Sequence, residues 1–162
     1  MKLSLTKRGD YAVRAAVALA QHAGEPGFTK IQHVADEMRL PPRYTPQILG
    51  LLAKAGLAEA RAGRDGGYRL LRDPKDVSLL DVVEAAEGPL ATKDCTLRGG
   101  PCQWEDMCAV HPAWVEATEA FRSSLARTTL ADLVDVDAGL KTSLTKPLET
   151  AHRARAKGKR RS

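Results

Sequence analysis

Residues 57–71 constrain the fold most. Two short extended runs, 57–61 and 68–71, flank the turn Ala62-Gly63-Arg64-Asp65-Gly66-Gly67. Asp65-Gly66 and Gly67 are expected to supply the positive backbone dihedrals of a tight hairpin. A two-stranded ribbon this short cannot stand alone and must lean on helices. The chain before it has helical spacing. Residues 6–23 place Tyr11, Val13, Ala16, Val17 and Ala20 on a helical period that stops at Gly24. Thr29-Lys30-Ile31-Gln32 reads as a capping box, with Ile31, Val34, Ala35 and Met38 on the apolar face of a second helix. After Pro41-Pro42 a third run, Ile48, Leu51, Leu52 and Ala55, ends at Gly56. Two short helices, a tight turn and a hairpin make residues 1–75 a winged helix-turn-helix.

Charge supports a polyanion partner for this half. Residues 1–75 carry 13 Lys/Arg against 7 Asp/Glu, residues 76–140 carry 4 against 12, and residues 141–162 carry 8 against 1. A basic front suits phosphate, and an acidic segment beside it should face away. Arg61, Arg64, Arg69 and Arg72 crowd the hairpin, where guanidinium groups can follow phosphates or enter a minor groove.

Beyond the hairpin a fourth helix is expected from the Ser78 cap through Leu79, Leu80, Val82 and Val83, ending before Gly88-Pro89. A long helix then starts near Pro112, whose missing N–H costs nothing in a first turn. Its seam of His111, Trp114, Thr118, Phe121, Leu125 and Thr128 is heptad-like and suits pairing with a second copy, although packing on its own domain is the structural alternative. The expected fold is mostly α with a small β-wing: a winged helix-turn-helix domain plus a long C-terminal dimerisation helix. Residues 76–138 would form the cysteine loop and that helix, and residues 139–162 a disordered basic tail. The apolar run 11–20 is too short and too charged, with Arg14 inside it, for a membrane span or signal core. A cytoplasmic protein is expected.

Three cysteines lie within fourteen residues, Cys95, Cys102 and Cys108, followed by His111, with gaps of six, five and two residues. This is not the paired spacing of a zinc ribbon, although three thiolates and an imidazole are also a zinc donor set. The wide gaps can wrap a body larger than one ion, and thiolates suit an iron-sulfur cluster. Zinc or redox-active thiols remain the alternative. No phosphate loop, nucleophile–base pair or pocket motif is present, so enzymatic function is not expected. His22, His33 and His152 are expected on the surface.

Several stretches together resemble the Rrf2 family of winged-helix transcription regulators: residues 5–14, Leu52-Ala53-Lys54-Ala55-Gly56-Leu57, Gly63-Arg64-Asp65-Gly66-Gly67-Tyr68, residues 78–83, the three-cysteine loop and Thr129-Leu130-Ala131-Asp132-Leu133. They cover about residues 1–136. The resemblance implies a homodimer that binds double-stranded DNA at a palindromic operator, as a repressor whose affinity follows the state of an iron-sulfur cluster. It assigns Cys95, Cys102 and Cys108 as ligands. The fourth ligand would be His111, as in members with a two-iron cluster, or Asp10, matching an acidic residue that other members supply from the partner subunit to a four-iron cluster. Where relatives begin the recognition helix, this chain has Pro41-Pro42-Arg43-Tyr44-Thr45-Pro46. The helix is therefore expected to start with Thr45 as cap and Pro46 in its first turn. Arg43, Tyr44, Thr45 and Gln47 are expected near the groove, with Arg61 and Arg64 on the wing. Trp114, Thr118, Phe121 and Leu125 are the candidate dimer residues.

Overall fold

The structure, a computed structural model, describes residues 4–90 and 108–145, the last five by backbone alone. Helix α1 (Lys7–Gln21) is followed by α2 (Ile31–Glu37), α3 (Thr45–Lys54), strands β1 (Ala58–Arg61) and β2 (Gly67–Leu70), a 3-10 turn at Pro74–Asp76, α4 (Leu79–Glu87), α5 (His111–Arg127) and α6 (Leu130–Thr145). Among the described residues no helix is long and apolar enough to cross a membrane.

Helix α1 is the hub. Its Thr6 cap accepts the Gly9 N–H, and Ala12, Ala15, Ala16, Val17, Ala18, Leu19 and Ala20 are all buried. An amphipathic surface helix would bury one stripe; α1 is enclosed on several sides because α2, α3, α4, α6 and β2 all pack on it. Alanines let those neighbours approach closely. The resulting core joins Leu19, Val34, Leu49 and Leu52 of the first half to Val77, Val82, Ala86 and Leu130 of the second. A division at residue 75 therefore does not separate two cores.

Several local expectations change. Thr29 is no cap: its N–H and carbonyl exchange hydrogen bonds with Tyr68 at 2.8 and 2.9 Å, adding a third extended partner to the wing. With its backbone so engaged, α2 starts one residue later, behind Lys30 and without a side-chain cap. The turn after α2 closes before the prolines, with Arg39 at φ 52° and Leu40 N–H bonded to Ala35 O at 2.8 Å. Helix α3 begins at Thr45, with Tyr44 as the flanking residue.

The hairpin pairs Ala58 with Leu70 and Arg61 with Gly67, antiparallel. Its positive dihedrals fall on Gly63 (φ 99°) and Gly67 (φ 153°), not on Asp65-Gly66. Gly66 is required for space instead, since a Cβ there would sit 2.0 Å from the Arg61 carbonyl oxygen.

Helix α4 opens with a capping box between Ser78 and Asp81, as the Ser78 cap implied. Helix α6 was not foreseen as an element. Thr129 and Asp132 cap it reciprocally: Thr129 N–H and Oγ1 donate to Asp132 Oδ2 at 2.8 Å, and Asp132 N–H donates to Thr129 Oγ1 at 3.2 Å. The backbone and hydroxyl donors of Thr129 hold the Asp132 carboxyl below the usual carboxylate range. A tail beginning at residue 139 is corrected accordingly, because α6 continues to Thr145; residues 146–162 lie outside the described residues.

Candidate nucleic-acid interface and metal centre

On α3 the inward positions are Ile48, Leu49 and Leu52, which anchor it to the core. The opposite side of its first turn presents Tyr44 and Gln47, with Arg43 just before them, all exposed. The Tyr44 ring lies 6.4 Å from that of Tyr11, so α1 braces this end. Thr45 differs from expectation. It is fully buried, and its hydroxyl donates to the Pro41 carbonyl at 3.1 Å. Its hydroxyl fastens the turn to the helix, turned away from any groove that Tyr44 and Gln47 could face.

The wing arginines split into two groups. All four are exposed, but Arg69 and Arg72 are held by acidic or carbonyl partners within the chain. Arg69 pairs with Glu59 across the strands, and Arg72 donates to the Asp76 carbonyl at 3.2 Å and lies 4.0 Å from Asp81. Phe28 joins both groups: the Arg69 guanidinium sits 4.8 Å and that of Arg61 5.7 Å from its ring centroid, within cation–π range. Lys30 also donates to the Arg64 carbonyl. Sequence reasoning missed Phe28 and Lys30. A lone phenylalanine in a loop carries no periodic signal, and it is tertiary pairing, Thr29 with Tyr68 and Lys30 with Arg64, that brings this loop to the wing.

For the metal centre, Cys108 is half-buried immediately before α5, and His111 is the first residue of that helix. The His111 N–H bonds the Cys108 carbonyl at 3.1 Å, so one backbone turn presents both. Thiolate and imidazole are donors that iron accepts. Asp10 lies on the first turn of α1, where it pairs with Arg14 at 3.0 Å. Cys95 and Cys102 lie outside the described residues.

Helix α5 has no buried residue. Trp114, Thr118 and Leu125 are half-buried, and α5 packs on α4, where Arg122 approaches Glu84 at 3.7 Å. Phe121 is 41% exposed. Along the seam Phe121 is therefore the most exposed of these four, and none of them is buried within its own chain. Of the histidines, His33 is exposed as expected, His22 is half-buried against Glu25 and Glu37, and His152 lies outside the described residues.

The sequence profile of the Rrf2 family, described as iron-dependent transcriptional regulators, matches residues 5–136. An rrf2-like HTH-type transcriptional regulator of Rhodobacter capsulatus is 31% identical over 137 residues, 80% of this chain and 91% of that protein. Two solved structures share the fold. CymR, the global cysteine regulator of B. subtilis, superposes with a TM-score of 0.68 at 26% identity, covering 83% of this chain and 98% of CymR. IscR of T. potens superposes with a TM-score of 0.66 at 29% identity, covering 85% and 90%. From the exposed first turn of α3, the basic wing and these matches together, the chain belongs to the Rrf2 family of helix-turn-helix transcriptional regulators.

Proposed function

We propose that this regulator is an operator-binding repressor whose DNA affinity is set by an iron-sulfur cluster held by Cys95, Cys102 and Cys108, with His111 or Asp10 as fourth ligand. The observation that carries the reading is the position of Cys108 and His111 at the start of α5, where a change in ligation bears directly on a helix. That helix packs on α4, α4 on α1, and α1 on α3. The likeness to IscR and the description of the family as iron-dependent support it. The cluster would supply a centre responsive to nitric oxide, redox or iron status.

Two copies joined through α5, with Trp114, Thr118, Phe121 and Leu125 at the contact, would set the distance between two α3 helices. A palindromic operator requires that distance to match successive major grooves. Arg43, Tyr44 and Gln47 would meet bases and phosphates there, while Arg61 and Arg64 lie along the backbone. A DNA target implies the cytoplasm. A coupling of about 1–3 kcal/mol between cluster and operator corresponds to roughly 5- to 150-fold in affinity.

The test is iron and acid-labile sulfide per monomer on protein purified without oxygen, followed by operator titration before and after cluster removal. Matching iron and sulfide near about two per monomer favours His111, and near about four favours Asp10. Operator affinity unaltered by cluster removal and by Cys102→Ala sinks the sensing role. Likeness to a cysteine regulator favours a second reading, in which the same thiols act by oxidation or hold zinc. Colourless protein that resists reconstitution, with thiol- or zinc-dependent DNA binding, would establish that reading instead.

A further inference from the structure

The end of α1 and the outer face of α2 bring together three metal-ligating side chains far in sequence from the cysteines. His22 caps α1, and His33 and Glu37 are four residues apart on α2, the spacing that puts two side chains on one helix face. His22 Nε2 lies 3.0 Å from Glu37 Oε2 and 3.2 Å from His33 Nε2. The third side of the triangle, His33 Nε2 to Glu37 Oε2, is 3.8 Å. A tetrahedral zinc ion with bonds of about 2.0–2.1 Å needs ligand atoms roughly 3.3 Å apart, and the three sides bracket that value.

The surroundings complete the pattern. His22 Nδ1 is 3.0 Å from Glu25 Oε1. An Nδ1–H donated to that carboxylate leaves the Nε2 lone pair aimed at the other two ligands, the carboxylate–histidine arrangement that orients metal-bound imidazoles. The side chains of His22 and Glu37 are 18% and 23% exposed and that of His33 57%, so the cluster opens to solvent beside His33, where a fourth ligand or water can enter. Without a cation the three groups are joined by shared protons, His22 Nε2 hydrogen-bonding Glu37 and His33. A single divalent ion satisfies all three.

We propose that His22, His33 and Glu37 form a binding site for a borderline divalent transition-metal ion of the zinc class, independent of the cysteine loop and fastening α2 to α1. Helix α2 is the first helix of the helix-turn-helix and packs on α3, so occupancy stiffens the unit that carries the reading turn. The ligands bind in their deprotonated forms, and affinity rises with pH through the histidine range.

Tag-free, full-length protein titrated with Co2+ tests the site, because cobalt bound to nitrogen and oxygen shows ligand-field bands without the thiolate charge-transfer absorption of cobalt on cysteine. Wild type is expected to take up one equivalent of this thiolate-free type. His33→Ala, at an exposed position, should lose it with a weakening of roughly 100-fold or more, while the thiolate-bound fraction is unchanged. Glu37→Gln should weaken the same equivalent. Zn2+ should raise the thermal midpoint of wild type more than that of His33→Ala. A wild type with no thiolate-free cobalt, or a His33→Ala chain that binds it with wild-type affinity, overturns the proposal.

Discussion

The Phe28 ring lies beneath Arg69 at 4.8 Å and beside Arg61 at 5.7 Å, so the loop before α2 positions the guanidinium groups of the wing. Exposed cation–π contacts contribute about 0.5–1 kcal/mol each. Phe28→Ala should leave the helices intact and weaken operator and non-operator DNA together, by roughly three- to tenfold. Filter binding on both DNAs reads this; loss confined to the operator would assign Phe28 another role. Arg64→Ala should flatten the salt dependence by about one unit of slope if Arg64 contacts a phosphate.

Gly66 has no room for a side chain, its missing Cβ lying 2.0 Å from the Arg61 carbonyl oxygen. Gly66→Ala should force the turn open at a cost of about 1–3 kcal/mol. Helical circular dichroism should persist while DNA affinity falls. Wild-type affinity in this variant would show that the wing does not touch DNA.

Thr45 fastens the turn before α3 by donating its hydroxyl to the Pro41 carbonyl. Thr45→Val keeps the shape and removes the hydroxyl, costing about 1 kcal/mol of stability. Operator preference should not change. Altered base preference at one operator position, measured by selection from random DNA, would return Thr45 to the interface.

Leu130 is fully buried at the start of α6 within the core shared with α1. Leu130→Ala should destabilise by about 2–5 kcal/mol. Denaturant unfolding monitored at Tyr44 and at Trp114 by separate probes should shift together. Independent transitions would indicate two folding units.

His22 gives a pH dependence. Burial disfavours its charged form, but hydrogen bonds and attraction from Glu25 and Glu37 outweigh this and raise its pKa above the ordinary 6.5. A raised histidine pKa stabilises the folded state fully below the unfolded value and loses that contribution as pH climbs through the folded one. In chelator, wild type should therefore lose stability relative to His22→Gln as pH rises from about 6 past the raised value. A constant difference across that range would refute the assignment.

The sequence made much of the architecture legible because its signals were local. The apolar spacing of residues 6–23, the Ser78 cap and the glycine-rich hairpin each act within a few residues, and each marks an observed element. What was missed depends on distant partners. Thr29 resembles a capping residue until Tyr68 claims its backbone. Thr45 is polar and lies between the exposed Tyr44 and Pro46, yet the turn folds it inward. Helix α6 has a capping pair and Leu130, but its later residues alternate acidic and apolar types without a broad stripe, and Leu130 is buried only because α1 and Val77 meet it. For the candidate site, motif position anticipates the exposure of Arg43, Tyr44 and Gln47, while their contact with DNA stays a proposal. Phe28 and the His22–His33–Glu37 cluster required the fold.

The enclosure of α1 limits how this protein can be recombined. Helices from both sides of residue 75 pack on α1, so a chimera spliced there would strip α4 and α6 from it and leave its buried alanines with an open flank. A portable module must carry the chain through α6. Single side chains at the start of α3, where Tyr44 and Gln47 lie outside the shared interior, can be exchanged without opening that core.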